Sequence, residues 1–323
     1  MDGDASAYWS TPEKMYMPIK LLRTETDDRL TIERVMYARR YSLSLDRTRC
    51  VGCEICSITC PREAIEVTVP PRVEGEKREP PRININVEKC NYCGICNAIC
   101  PFGALELRIN GERLIPVVNS ESFPELIREV EMEPEKCPPG CRECEEACPF
   151  NLIEVIVRTP DGKEVEDVDS YPYKGELRVE VNLAKAHCPC CMVCDVKCPE
   201  DAIHIKKIFY GYININGELC PEGCRDCLDV CPIPGALYIS EDGKVEANET
   251  FCIYCGVCKL VCPVEGALTL QRTLIRHTPV HSGAWNKALE KLTSTKNMTK
   301  ELRSKAILRA RGSVEKRLGW RAV

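Results

Sequence analysis

The chain has 323 residues, of which 25 are cysteine while aromatic residues make up only 6%. A disulfide scaffold needs an oxidising compartment and normally a leader, yet the opening stretch MDGDASAYW has no basic or apolar leader region, and the longest run free of Asp, Glu, Lys and Arg is sixteen residues, at 90–105, too short to span a bilayer. The formal charge is −5, but residues 273–323 carry twelve Lys and Arg against three Asp and Glu, so the preceding chain holds −14. These features predict a soluble, cytoplasmic protein whose thiolates bind metal, with a basic tail suited to an acidic protein surface. No nucleic-acid motif accompanies the tail.

In chain order, residues 26–40 are expected to form a helix with Leu30, Ile32, Val35 and Met36 apolar. Alternating stretches then predict strands at residues 41–45, 64–69, 83–87, 104–107, 177–181, 202–205, 212–215 and 267–270. The charged, proline-rich segment 70–82 and the polar segment 159–175 read as insertions, open to partner docking, and residues 110–130 as a linker. A short helical turn is expected between the third and fourth cysteines of each run. Helices are expected at residues 285–292 and 299–311.

Between these segments one cysteine pattern recurs. C-x2-C-x2-C-x3-C-P occurs at Cys50, Cys53, Cys56 and Cys60, at Cys90, Cys93, Cys96 and Cys100, at Cys188, Cys191, Cys194 and Cys198, and at Cys252, Cys255, Cys258 and Cys262. Two relatives insert one residue, at Cys137, Cys141, Cys144 and Cys148 and at Cys220, Cys224, Cys227 and Cys231. Only Cys190 is left over, and it reads as a bystander.

Three cysteines two residues apart wrap three corners of an Fe4S4 cubane, and the fourth reaches the cluster of a partner run. Zinc knuckles instead pair two C-x2-C units a dozen or more residues apart. The pattern therefore predicts six [4Fe–4S] clusters. Runs three and five resemble each other (CPPGCR, CPEGCR), as do runs two and six (NYCG, IYCG). The simplest pairing is one with two, three with four, five with six; a nested arrangement would reassign the fourth ligands. On the simple pairing the ligand sets are Cys50, Cys53, Cys56 and Cys100; Cys90, Cys93, Cys96 and Cys60; Cys137, Cys141, Cys144 and Cys198; Cys188, Cys191, Cys194 and Cys148; Cys220, Cys224, Cys227 and Cys262; and Cys252, Cys255, Cys258 and Cys231.

The expected fold class is α+β: three tandem bacterial-type 2[4Fe–4S] ferredoxin modules with helical extensions at both ends. The boundaries read 1–40 for an N-terminal extension, 41–115, 116–208 and 209–272 for the modules, and 273–323 for the basic helical tail. Modules so small bury little apolar area, so the clusters are expected to serve as their cores. Gly94 and Gly256 should let N–H groups approach sulfide, Pro138 and Pro139 remove such donors, and Arg142 and Arg225 favour added negative charge. His187, His204, His277 and His281 form no constellation and read as structural or surface groups.

The stretch RRYSLSLDRTRC at residues 39–50 and the tail SGAWNKALEKL at residues 282–292 resemble the polyferredoxin subunit of formylmethanofuran dehydrogenase. Members of that family usually carry more than six cluster motifs. The resemblance implies an electron wire in an archaeal tungsten or molybdenum complex that interconverts carbon dioxide and formylmethanofuran, with the metallopterin site on another subunit. The chain itself is expected to perform no bond chemistry, since no dinucleotide, P-loop or flavin motif is visible. Other readings of the same cysteines are a hydrogenase-associated polyferredoxin, a free multi-electron carrier and a zinc-binding assembly scaffold.

Overall fold

Alternation with a period of two dominates the segments between the cysteine runs, and a chain so patterned buries one face of a strand. The computed structural model describes residues 20–73, 75–280 and 282–293, and in it every cysteine run lies between two strands. The first unit contains β1 (Lys20–Glu25), β2 (Arg29–Val35), β3 (Arg40–Asp46), α1 (Ile55–Thr59), β4 (Ile65–Thr68), β5 (Arg82–Ile85), α2 (Ile95–Ile99), β6 (Leu105–Ile109) and β7 (Glu112–Arg113). Here β3 pairs antiparallel with β6, and β4 with β5. The strand entering the first run thus lies beside the strand leaving the second.

After α3 (Pro116–Asn119) the second unit repeats this plan with β8 (Glu129–Met132), α4 (Glu143–Ala147), β9 (Ile153–Arg158), β10 (Arg178–Leu183), α5 (Val193–Lys197) and β11 (Ile203–Lys206). Its outer pair is β8–β11 and its inner pair β9–β10. The third unit holds β12 (Phe209–Ile215), α6 (Asp226–Asp229), β13 (Leu237–Ile239), β14 (Val245–Ala247), α7 (Val257–Val261) and β15 (Leu268–Ile275), paired β12–β15 and β13–β14. Within the units α1 packs on α2, α4 on α5 and α6 on α7. Helix α8 (Gly283–Thr293) follows.

The helix expected over residues 26–40 is instead strand. β1 and β2 form a hairpin that extends the first unit's sheet in the order β1-β2-β3-β6-β7. Leu30 and Ile32, two residues apart, are fully buried and lie opposite Leu45 and Leu43 of β3. Two apolar positions spaced by two face one side of a strand but opposite sides of a helix. Thr31 and Val35, both β-branched, favour the same outcome.

The three units contact one another through side chains from their connections. Arg72 and Arg78, in the segment 70–82, reach the third unit: the Arg72 and Arg78 side chains pair with Asp226 at 3.4 and 3.9 Å, and the Arg78 backbone N–H donates to Asp229 at 3.1 Å. The linker before β8 bridges the exit of β15 at Leu126 and His277. Helix α8 covers this junction: Trp285 is 2% exposed, stands edge-on to Phe123 and His277 with centroids at 5.1 and 4.6 Å, and donates from Nε1 to His277 Nε2 at 3.2 Å. Lys291 donates to the Ile58 carbonyl at the end of α1 at 3.4 Å. The helix expected at residues 299–311 and His281 lie outside the described residues.

Candidate metal centres

Each cysteine run is built around one of the short helices. The third cysteine sits in the helix's first turn, and the fourth caps or just follows its end. Ahead of the helix the chain must reverse within two or three residues. The residue before the second cysteine has positive φ in all six runs: Gly52 (72°), Tyr92 (55°), Gly140 (97°), Cys190 (57°), Gly223 (69°) and Tyr254 (52°). In the four runs with two-residue spacing the next residue after that cysteine, Glu54, Gly94, Met192 or Gly256, is left-handed as well. Where a residue is inserted, Arg142 and Arg225 take ordinary φ values of −128° and −135°. The extra residue replaces the second reversal. Gly52 is the tightest of these positions, because a Cβ there would overlap the Pro81 carbonyl oxygen.

The turns gather the cysteines in fours. One cavity of about 410 Å³ is lined by Cys137, Cys141, Cys144 and Cys198, and another of about 350 Å³ by Cys148, Cys188, Cys191 and Cys194. Cys60, Cys90, Cys93 and Cys96 line a third of about 390 Å³, and Cys220, Cys224, Cys227 and Cys262 a fourth of about 330 Å³. Cys50, Cys53, Cys56 and Cys100 act on one another electrostatically, as do Cys231, Cys252, Cys255 and Cys258. In every quartet the fourth sulfur comes from the partner run of the same unit. All 25 cysteines are free thiols.

A polynuclear iron–sulfur group fits these quartets. Thiol is the donor they share, and soft thiolates suit such clusters. Four cysteines line each of these cavities, with no other metal-ligating side chain but carboxylates at the rim. Backbone N–H groups already point at sulfur: Ala64 to Cys60, Ala104 to Cys100 and Ala202 to Cys198, each at 3.3 Å, and Leu152 to Cys148 at 3.4 Å. Burial pushes Cys50, Cys90, Cys191 and Cys252 up to about 11, whereas the hydrogen bond with Cys190 lowers Cys188 to about 7. A bound metal would take the place of the protons on the raised thiols.

Three quartets converge where the units meet. Cys255 of the third unit opposes the ionisation of Cys53 of the first. Arg128 bridges the first and second units, donating to the Cys100 carbonyl at 2.8 Å and the Cys188 carbonyl at 3.0 Å. Lys207 lies between Cys191 of the second unit and Cys252 of the third, donating to the Cys252 carbonyl at 3.1 Å. Arg272, 3% exposed on β15, donates to the carbonyls of Tyr254 at 2.8 Å and Cys255 at 2.7 Å, beside Cys53. Of the remaining quartets, those of Cys137 and Cys220 lie outward. In these only one cysteine of four is fully buried, whereas three are in those of Cys188 and Cys252.

The individual side chains singled out by sequence divide in two. Arg142 and Arg225 do not stand free to act on a cluster: they pair with Glu145 at 3.1 Å and Asp229 at 3.2 Å. Cys190 is completely buried, and its backbone position is that of Tyr92 and Tyr254 in the related runs. His187 joins two units, lying 3.1 Å from Arg49 and 3.2 Å from the Gly103 carbonyl; burial and then Arg49 lower its pKa. His204 is exposed beside Glu133, and His277 supports Trp285. The half-buried Arg128 and the buried Lys207 and Arg272 were not apparent in the sequence. Their signal, a basic residue next to an apolar strand, is common to many surface positions.

Comparison with known proteins gives the same chemistry. Residues 49–104 match a 4Fe-4S dicluster domain, and residues 212–263 match a second dicluster domain. A stretch of 98 residues is 31% identical to the polyferredoxin-like subunit of an aliphatic sulfonate oxidoreductase from Pyrococcus furiosus. That match covers 27% of this chain and 55% of the relative, so the chain spans about half the length of that protein. The fold is similar to a chain of the formate dehydrogenase–heterodisulfide reductase–formylmethanofuran dehydrogenase complex from Methanospirillum hungatei, with a TM-score of 0.70 and 31% identity over 85% of this chain and 91% of that one. Among the described residues no helix is long and apolar enough to cross a membrane.

Proposed function

We propose, from the premise that this chain belongs to the 4Fe-4S polyferredoxins, that it is an electron-transfer subunit of a multi-subunit dehydrogenase complex. It holds six [4Fe–4S] clusters on the six quartets described above, two in each of three ferredoxin modules. A bound cluster supplies storage and release of one electron at each quartet. The chain's own residues do the rest. The cysteines hold iron, strands and helices exclude water, and N–H groups with buried cations offset the negative charge of the sulfur ligands.

The observation that carries this reading is the convergence of one quartet from each unit, joined by Arg128, Lys207 and the Cys53–Cys255 approach. Independent carriers strung on a linker would have no reason to place cations between their sulfur sites. The outward quartets of Cys137 and Cys220, with three partly exposed sulfurs each, are the natural points of contact with donor and acceptor subunits. The chain is a conduit rather than a catalytic subunit.

The complex we propose is a formylmethanofuran dehydrogenase assembly, supported by the stretches at 39–50 and 282–292 and by the neighbouring solved complex. Anaerobic purification of the native protein, with co-purifying subunits identified by mass spectrometry, tests it. Metallopterin and amidohydrolase-like subunits are expected. Sulfonate oxidoreductase or hydrogenase subunits, or a solitary polypeptide, would overturn the choice of complex.

A further inference from the structure

The second run of each unit carries the same polar contact. Arg34 donates to the carbonyl of Cys90 at 2.8 Å, Arg128 to that of Cys188 at 3.0 Å, and Lys207 to that of Cys252 at 3.1 Å. In each case the acceptor is the first cysteine of the run. Arg128 and Lys207 come from the segments leading into β8 and β12, whereas Arg34 comes from β2, one strand beyond the sheet position that would correspond. Three cations thus reach one equivalent carbonyl by two different routes. Two of them also lie over the left-handed residue ahead of the second cysteine: Arg34 is 5.1 Å from the Tyr92 ring and Lys207 is 5.5 Å from the Tyr254 ring. Under Arg128 that position is Cys190, with the same backbone turn.

The first run of the second unit is built the other way. Helix α4 carries Glu143, Glu145 and Glu146, and Arg142 is spent on Glu145. Helix α6 is more balanced: Asp226 faces Arg72 at 3.4 Å and Arg78 at 3.9 Å, and Asp229 pairs with Arg225. Reduction adds one negative charge to a cluster, so a fixed positive charge held in a water-poor site favours the reduced state, and neighbouring carboxylates oppose it.

We propose that Arg34, Arg128 and Lys207 are potential-setting residues, each making the cluster of its own second run easier to reduce than the cluster of the Cys137 quartet. They act through charge and position and touch no substrate. The inference rests on the six-cluster reading above. It gives the conduit a downhill direction for the electron, from the outward, acid-flanked quartet of Cys137 toward the cation-flanked ones.

The test uses the full chain purified anaerobically with its clusters, poised with dithionite and redox mediators and followed by electron paramagnetic resonance. Iron and acid-labile sulfide in the wild type decide the underlying reading independently: zinc without sulfide would sink that reading, whatever the variants do. With clusters present, Arg34→Gln, Arg128→Gln and Lys207→Gln should each move one titrating component to lower potential by at least a tenfold change in its reduction equilibrium, about 59 mV for one electron. Arg34→Lys, Arg128→Lys and Lys207→Arg keep the charge and should hold the wild-type midpoint. Fully loaded neutral variants with unmoved midpoints would overturn the proposal, as would equal shifts in neutral and charge-keeping variants. Where a neutral variant loses iron, the charge-keeping variant decides: retention of iron and midpoint supports the role of charge, and a displaced midpoint refutes it.

Discussion

Replacing Arg272 with methionine isolates one buried cation at the meeting point of the units. The methionine stem fills nearly the same space, so the cost lies in the lost hydrogen bonds and charge. Arg272 donates to the carbonyls of Tyr254 at 2.8 Å, Cys255 at 2.7 Å and Leu292 at 3.4 Å. It thereby ties β15 to both the last cysteine run and α8. The two short bonds are of the charge-assisted kind, and each buried acceptor left without a partner costs about 1–3 kcal/mol. The expected loss is roughly 3–5 kcal/mol, in the range for breaking a buried charged contact by removing one partner. At about 1.4 kcal/mol per tenfold, the opened form of the third unit should be populated at least ~100-fold more. The assay is anaerobic bleaching of cluster absorbance by an iron chelator under native conditions, where the rate follows the population of the open form. Arg272→Met should accelerate the fraction belonging to the third unit by about two orders of magnitude, with Arg272→Lys intermediate. Bleaching of Arg272→Met within a few-fold of the wild-type rate would refute the assignment of Arg272 as a structural tie.

Three further predictions follow from backbone, connectivity and ionisation. Gly52→Ala should abolish loading of the first unit's Cys50 quartet, because φ is 72° and the new Cβ overlaps the Pro81 carbonyl, whereas Gly111→Ala, at φ 87° with open space around it, should cost only about 1–2 kcal/mol; normal iron content in Gly52→Ala would contradict this. Cys100→Ser should alter the same spectroscopic component as Cys50→Ser and leave that of Cys90→Ser untouched, since Cys100 belongs to the Cys50 quartet; a change shared with Cys90→Ser instead would mean that the ligands are not exchanged between runs. Iron removal should unfold the modules, and a native-like circular dichroism spectrum without iron would be the contrary result. Any folded iron-free population should also be less stable at pH 10 than at pH 7. Unfolded thiols ionise near 8.5, about the usual value, while buried ones such as Cys50, at about 11, stay neutral; the unfolded state therefore loses protons first, and stability falls as pH rises. A thermal melt unchanged between the two pH values would count against it.

How far the sequence went can be judged from particular residues. The strands expected at 41–45, 64–69, 83–87, 104–107, 177–181, 202–205, 212–215 and 267–270 all have counterparts, in β3, β4, β5, β6, β10, β11, β12 and β15. Alternation between apolar and polar side chains is a direct imprint of one buried face. Helix α8 likewise falls on the expected residues, with Trp285, Ala288 and Leu292 buried at helical spacing. β8 escaped because Glu129 and Glu131 surround Val130, and β13 and β14 because each is only three residues long. The segment 26–40 misled because Leu30, Val35 and Met36 can be fitted to a helical face when the partner strand β3 is unseen. Cysteine spacing carried the local turns, since a loop around a compact group leaves few choices of length. It carried nothing of the meeting of three quartets at Arg128, Lys207 and Arg272, which depends on contacts between residues far apart in the chain. The segment 70–82 looked available to an outside partner, yet Arg72 and Arg78 engage the third unit of the same chain.

The most direct measurement is the iron and acid-labile sulfide content of the full chain purified without exposure to air. The account predicts four iron and four sulfide for each of the six cysteine quartets, with signals of [4Fe–4S] clusters on reduction and no stoichiometric zinc. Zinc bound without sulfide, or iron for only the two units matched by dicluster domains, would contradict it.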